Sequence, residues 1–205
     1  MKKWLLAWLI MALAACAGTG RTPTQVEVYD FGLPSTAQFA SGQWSSVALE
    51  VRAPNWIDNT SVNYRLLYDD PLKWRTYSAS RWAGPPSQLL AQRLRQQLTL
   101  AGSGAHGVRC LLRIDLQAFV HVFVDPQRSR GEVHVQAGLF GADRRVLGEK
   151  KLAIGREAPS VDAPGGVFAL VSASDELAQQ LAQWLNDAEK HGRLNGCLAQ
   201  AVTDR

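Results

Sequence analysis

The amino-acid sequence predicts an α+β domain: two layers, a largely antiparallel sheet with two amphipathic helices packed on it. Three observations carry this. Apolar residues alternate with period two over residues 25–31, 47–52, 62–68 and 108–124. Two other stretches, residues 89–98 and 167–185, repeat apolar residues at helical spacing. The strands fall into two groups, one before each helical stretch, and each helix has a single stripe to bury, which one face of a sheet satisfies.

The first residues stand outside this pattern. Met1-Lys2-Lys3 is a short positive start, residues 4–13 are apolar, and Ala14, Ala15 and Cys16 follow. An apolar run this short falls well below the ~20 residues of a membrane-spanning helix and has the layout of a secretory signal peptide over residues 1–15. Leu13-Ala14-Ala15-Cys16 resembles the bacterial lipobox. The resemblance implies cleavage before Cys16 and acylation of that cysteine. Ala17 in place of an aspartate implies export to the outer membrane of a Gram-negative envelope, facing the periplasm. Residues 16–24 have no apolar period and read as the lipidated cysteine and a flexible tether. The folded domain is expected over residues 25–205.

The 205 residues suit one domain with a sizeable core. The formal charge is +4, but Lys2 and Lys3 lie in the segment expected to be removed, which leaves a balance near +2. With no block of basic residues, nucleic acid is not an expected partner.

Taken in order, Val26 and Val28 alternate with Glu27 and Tyr29 in a strand closed by Gly32 and Pro34. Val47, Leu49 and Val51 make a second strand that stops at Pro54. Tyr64, Leu66 and Tyr68 make a third, Asp69-Asp70-Pro71 a turn, and residues 73–77 a short fourth strand. Pro85-Pro86 opens the first helix, where a missing N–H costs nothing. Leu90, Leu94 and Leu98 form its stripe, and Gly102, Gly104 and Gly107 end it. Residues 108–124 give the longest strand, with Cys110, Leu112, Ile114, Leu116, Val120 and Val122 expected on one face and Arg113, Asp115, Gln117 and His121 on the other. It returns through a turn at residues 125–131 and again at residues 141–143, forming a three-stranded meander. Val167, Leu170, Leu177, Leu181 and Leu185 mark a long helix from about Gly166 to about Ala188.

No phosphate loop, nucleophile elbow or metal-ligand spacing appears, so neither cofactor nor metal is expected, and the chain does not read as an enzyme. His121 and His134 would face each other across a hairpin centred on Gln127-Arg128. Two histidines alone seldom bind a metal, and a solvated cross-strand pair is expected. With Cys16 acylated, Cys110 and Cys197 remain as an even pair in an oxidising compartment. They are either a disulfide or a buried strand cysteine and a tail thiol. Trp74, Tyr77, Arg81 and Trp82 put three aromatics and an arginine within nine positions, the residue types that dominate interfaces. They are a candidate partner surface, and Trp82 alternatively a core residue beneath the helix.

Tyr64-Arg65-Leu66-Leu67-Tyr68, Tyr77-Ser78-Ala79-Ser80-Arg81-Trp82-Ala83-Gly84-Pro85-Pro86 and Leu89-Leu90 together resemble the ABC-type transport auxiliary lipoprotein family of PqiC type. Leu112-Arg113-Ile114-Asp115-Leu116, Ser129-Arg130-Gly131, Pro164-Gly165-Gly166 and Trp184-Leu185 are similar to its second half. The resemblance covers nearly the whole chain through order and spacing. It implies a non-enzymatic domain on the outer membrane, working with an MCE-domain protein and an inner-membrane permease that move lipids. The surface of Trp74, Tyr77, Arg81 and Trp82 is expected to contact the MCE partner or further copies of this chain. The competing classes are a lipoprotein subunit of lipopolysaccharide or β-barrel assembly, and a lipid hydrolase, which the absence of a nucleophile constellation disfavours.

Overall fold

The structure is a computed structural model and describes residues 25–34, 44–102 and 105–197. The signal peptide, Cys16 and the tether expected at residues 17–24 lie outside the described residues. The elements in chain order are β1 (Glu27–Tyr29), β2 (Val47–Arg52), β3 (Ser61–Leu66), β4 (Asp70–Trp82), α1 (Pro86–Leu98), β5 (Cys110–Asp125), β6 (Arg128–Phe140), β7 (Val146–Glu157) and α2 (Ala163–Lys190).

The seven described strands join one open sheet, six in the order β1-β4-β3-β5-β6-β7 with β2 off this path, paired to β5. The α+β class is as expected, but the sheet is mixed. β3/β4, β5/β6 and β6/β7 are antiparallel, whereas β1/β4, β2/β5 and β3/β5 are parallel. β5 organises the arrangement. One edge carries β6 along its length. On the other edge, β2 takes the first half (Val47↔Cys110 to Arg52↔Asp115) and β3 takes the second (Tyr64↔His121 to Leu66↔Phe123).

The helices pack on the sheet and on each other. Leu90, Leu94 and Leu98 of α1, with Leu170, Leu177, Leu181 and Leu185 of α2, bury their stripes against Leu112, Ile114 and Leu116 of β5 and Val133, Val135 and Leu139 of β6. α1 begins at Pro85-Pro86 without a cap of its own, and the Asp58 carboxylate accepts from Ser87 N at 3.1 Å in its place. It ends sooner than the glycines indicate: Leu98 is its last residue and Thr99 takes the left-handed conformation at φ 52°. α2 is capped by Asp162, whose Oδ1 accepts from Gly165 N at 2.8 Å and from Ser160 Oγ at 2.6 Å. These bonds, the serine's first, hold the carboxyl below its ordinary range.

The start of α2 lies directly on the sheet. A Cβ on Gly131 would meet Leu170 N at 2.5 Å and the Ala169 carbonyl carbon at 2.6 Å. A Cβ on Gly166 would meet His121 Nδ1 at 2.2 Å. His121 and Gly131 are register partners on β5 and β6, so the helix seats on one cross-strand pair where a side chain is missing.

At the other end of β5, Cys110 is bonded to Cys197, with the sulfurs 1.98 Å and the Cα atoms 5.2 Å apart. Both cysteines are buried, and neither is a free tail thiol.

Three sequence expectations change here. The short strand at residues 73–77 is part of the 13-residue β4, which runs on to Trp82. Between Ser61↔Arg81 and Asn63↔Thr76, β4 carries more residues than its partner, a bulge that interrupts the alternation. The β5/β6 register also shifts between Leu116 and Ala118. That irregularity reverses the phase of β5, so Phe119, His121 and Phe123 turn inward although the earlier even-numbered residues did. Consequently His121 and His134 do not face each other: their partners are Gly131 and Ala118. His121 is completely buried rather than solvated.

Candidate functional site

The four residues singled out from sequence, Trp74, Tyr77, Arg81 and Trp82, all lie on β4, whose pairing with β3 is irregular in two stretches, and each ends in a different place. Trp82 goes to the core. It is 2% exposed, with its ring 5.7 Å from Phe31 and 5.5 Å from Phe119. It therefore drops out of any exposed surface and packs with Phe31 and Phe119 in the core.

Tyr77 enters a half-buried ring cluster. It lies 4.5 Å from Tyr64, Tyr64 lies 5.9 Å from Phe123, and Phe123 lies 4.4 Å from His121. Tyr77 Oη and His121 Nδ1 share a hydrogen bond of 2.9 Å, while His121 Nε2 has no partner. Burial holds the imidazole neutral, with its pKa pushed down to about 4 against a weaker opposing pull from Asp162. The same burial raises the Tyr77 phenol above its ordinary range. The group packs the seat of α2 and leaves no path to solvent at His121.

Arg81 is turned inward on its own strand. Its Nη1 donates to the carbonyls of Tyr77 at 2.6 Å and Ser80 at 2.8 Å, the groups the bulge removes from the ladder. Its first role is to satisfy that backbone.

Trp74 alone stays at a surface, where it gains partners the sequence did not bring together. Trp56, 54% exposed in the β2–β3 connection, meets it edge-on at 5.3 Å. The Arg65 guanidinium lies 4.8 Å over the Trp74 ring, and its Nη1 also donates to the Pro71 carbonyl at 2.9 Å. Neither Trp56 nor Arg65 had been singled out. The signal available was a tryptophan soon after Pro54 in a segment with no apolar period. Beside this cluster runs the outer edge of β4. Among the described residues its only strand partner there is β1, which pairs with Ser80, Arg81 and Trp82. From Asp70 to Ala79 no described strand pairs with that edge, and its backbone groups are open to another chain except Leu72 N and the Pro71 and Tyr77 carbonyls, which have side-chain partners.

Other polar features have internal explanations. Arg93 is almost fully buried. Its Nη2 donates to the Phe31 carbonyl at 2.5 Å, and its Nε lies 3.0 Å from Asp175, which also accepts from Gln97 at 2.8 Å. This set joins α1, α2 and the segment after β1. Among the described residues no group of three or more His, Cys, Asp or Glu side chains is placed to hold a metal ion. No described helix is long and apolar enough to cross a membrane.

The model of a family described as the ABC-type transport auxiliary lipoprotein component matches residues 29–184. Among solved structures, protein XCC0632 from Xanthomonas campestris, of the family DUF330, superposes with a TM-score of 0.67 at 18% identity, covering 81% of this chain and 98% of that one. A second crystal structure, of an uncharacterized protein, gives a TM-score of 0.62 at 13% identity over 78% of this chain and 99% of that one. At these identities the likeness concerns the fold. No curated protein matches the sequence.

Proposed function

Since the chain belongs to the ABC-type transport auxiliary lipoprotein family, we propose that it is a non-enzymatic docking component on the outer membrane, facing the periplasm, for an MCE/ABC-type system that moves lipids across the envelope. The observation that carries this is the family match over residues 29–184, which spans every strand but the start of β1 and most of α2.

The fold supports a docking role. The open edge of β4 from Asp70 to Ala79, flanked by Trp56, Trp74 and Arg65, combines unpaired backbone groups with aromatic area and a cation. An MCE-domain protein would add a strand or loop there, with the edge supplying hydrogen bonds and the tryptophans the buried area. Acylation of Cys16 would confine the domain at the membrane, so that a modest affinity suffices. The inner-membrane permease is reached through that partner and not by this domain.

The test is a photo-crosslinking residue at Ser78, an exposed position on that edge. Irradiated envelopes are expected to give an adduct with an MCE-domain protein. Adducts with lipopolysaccharide- or β-barrel-assembly proteins in its place would transfer the chain to another outer-membrane machine.

A further inference from the structure

The β3–β4 connection ends in an apolar tip. Leu67 is 40% exposed, Tyr68 48% and Leu72 87%. One exposed leucine is ordinary; three apolar side chains within six residues at one end of a sheet form a patch. The tip is built and not loose: Asp70 Oδ1 accepts from Leu72 N at 3.1 Å, Arg75 pairs with Asp69, and Arg65 holds the Pro71 carbonyl.

The position of this tip follows from the direction of β1. β1 runs parallel to β4, with Glu27 opposite Ser80 and Tyr29 opposite Trp82. The N-terminal end of β1 therefore points toward the Asp70 end of β4, the end that carries the tip. From Ser80 to Asp70 the strand is at most ~33 Å long at 3.3 Å per residue. The eleven residue-to-residue steps from Cys16 to Glu27 span up to ~36–40 Å when extended. An anchor at Cys16 can thus lie level with the tip.

We propose that the tip is a second membrane contact, in which Leu67, Tyr68 and Leu72 enter the interfacial layer of the bilayer that holds the acylated N-terminus. The proposal rests on the lipoprotein reading above. The composition fits a lipid surface: leucines at the extremity, a tyrosine beside them, and Trp74 with Arg65 and Lys73 set just behind, where aromatic rings and cations sit at headgroup level. Asp69 and Asp70 also lie there, each engaged by a local donor. The anchor supplies the local concentration, so shallow insertion of three side chains is enough to fix the tilt of the domain. β4 then stands along the membrane normal, with its open edge facing sideways.

The experiment uses the full acylated protein in phosphatidylethanolamine–phosphatidylglycerol vesicles. Leu72→Cys and, at the opposite end, Val146→Cys each carry an environment-sensitive fluorophore; both positions are exposed, and the disulfide leaves the new thiol to be labelled. The expected result is a blue-shifted Leu72→Cys emission, quenched roughly twofold or more by brominated acyl chains as for a group ~5–10 Å into the interface, with the Val146→Cys probe fully wet. If the protein floats with the vesicles but both probes are equally wet, the tip does not touch the bilayer. If the Leu72→Cys probe dries only when a partner protein is added, the tip is a protein surface and the proposal fails. If the protein does not float at all, the lipoprotein premise falls first and this contact with it.

Discussion

The two halves of β5 are one strand in two different settings. The first half pairs with β2, alternates regularly, lies under the helices and is tied by Cys110 to Cys197. The second half, past the irregularity at Leu116–Ala118, pairs with β3 and turns Phe119, His121 and Phe123 inward. There it meets the first turns of α2 through a buried histidine and a glycine and has no covalent tie. The first half is held by apolar packing and a disulfide. The second also buries Phe119, Val120, Val122 and Phe123, but adds close backbone approach and one titratable ring kept neutral. Stability should therefore respond to redox conditions at one end and to pH at the other.

The largest expected effect comes from removing the staple. A loop of 87 residues is closed by the disulfide, for which the chain-entropy model gives about 4–5 kcal/mol. Replacing both Cys110 and Cys197 by serine should lower unfolding stability by about that much in urea melts. Amides near Leu112 and Ile114 should lose more hydrogen-exchange protection than those near Val122 and Phe123. Equal loss along the strand would show that β5 opens as one unit.

Gly131→Ala probes the opposite half. Its methyl group would stand inside the α2 backbone at Leu170 N, so the helix must lift from the sheet, at a cost of about 3 kcal/mol. A melt within about 0.5 kcal/mol of the parent, the level of an ordinary surface change, would mean the seat yields easily.

A smaller effect follows from His121. Its pKa in the folded state is about 4, and that of an unfolded histidine is about 6.5. The unfolded chain takes up a proton as pH falls through ~6.5 while the native state does not, so stability falls between ~6.5 and ~4 and levels off below. The loss from pH 7 to pH 4.5 should be about 2–3 kcal/mol, and His121→Gln should remove that slope. An unchanged slope in the variant would assign the pH response to other groups.

Least affected should be the protein carrying Trp74→Ala. This partly buried ring at the edge of the sheet contributes about 1 kcal/mol to folding, and its loss should shift the melt little while weakening the Ser78 adduct. An adduct of undiminished yield would remove Trp74 from the docking surface.

Much of this architecture was legible because alternation and helical spacing report burial directly. β2, the first half of β5 and both helix stripes fall where period two and period 3.6 put them, whereas β6 begins at Arg128, inside the turn expected at residues 125–131. The losses share one cause, since a bulge adds a residue without marking the sequence. At residues 76–81 it hid the last third of β4 and left Trp82 undecided between a partner surface and the core. At residues 116–118 it placed His121 on the wrong face. Arg81 stood out by composition, yet its task is set by carbonyls that only the bulge exposes. The exposed cluster needed Trp56, eighteen residues before Trp74, and no local pattern joins the two.

The parallel pairing of β2 and β3 with β5 has a consequence in time. A chain delivered from its N-terminus presents residues 47–66 long before residues 110–123, their partners along β5, arrive. Until then β2 has no edge to join among these pairings, and the β3–β4 hairpin stands alone, which in water is marginal at best. Assembly must wait for a long-range encounter, the kind that makes folding slow and leaves strand edges open to wrong partners. The disulfide comes later still, since Cys197 follows the last helix. It cannot form before every strand and both helices are available to the chain.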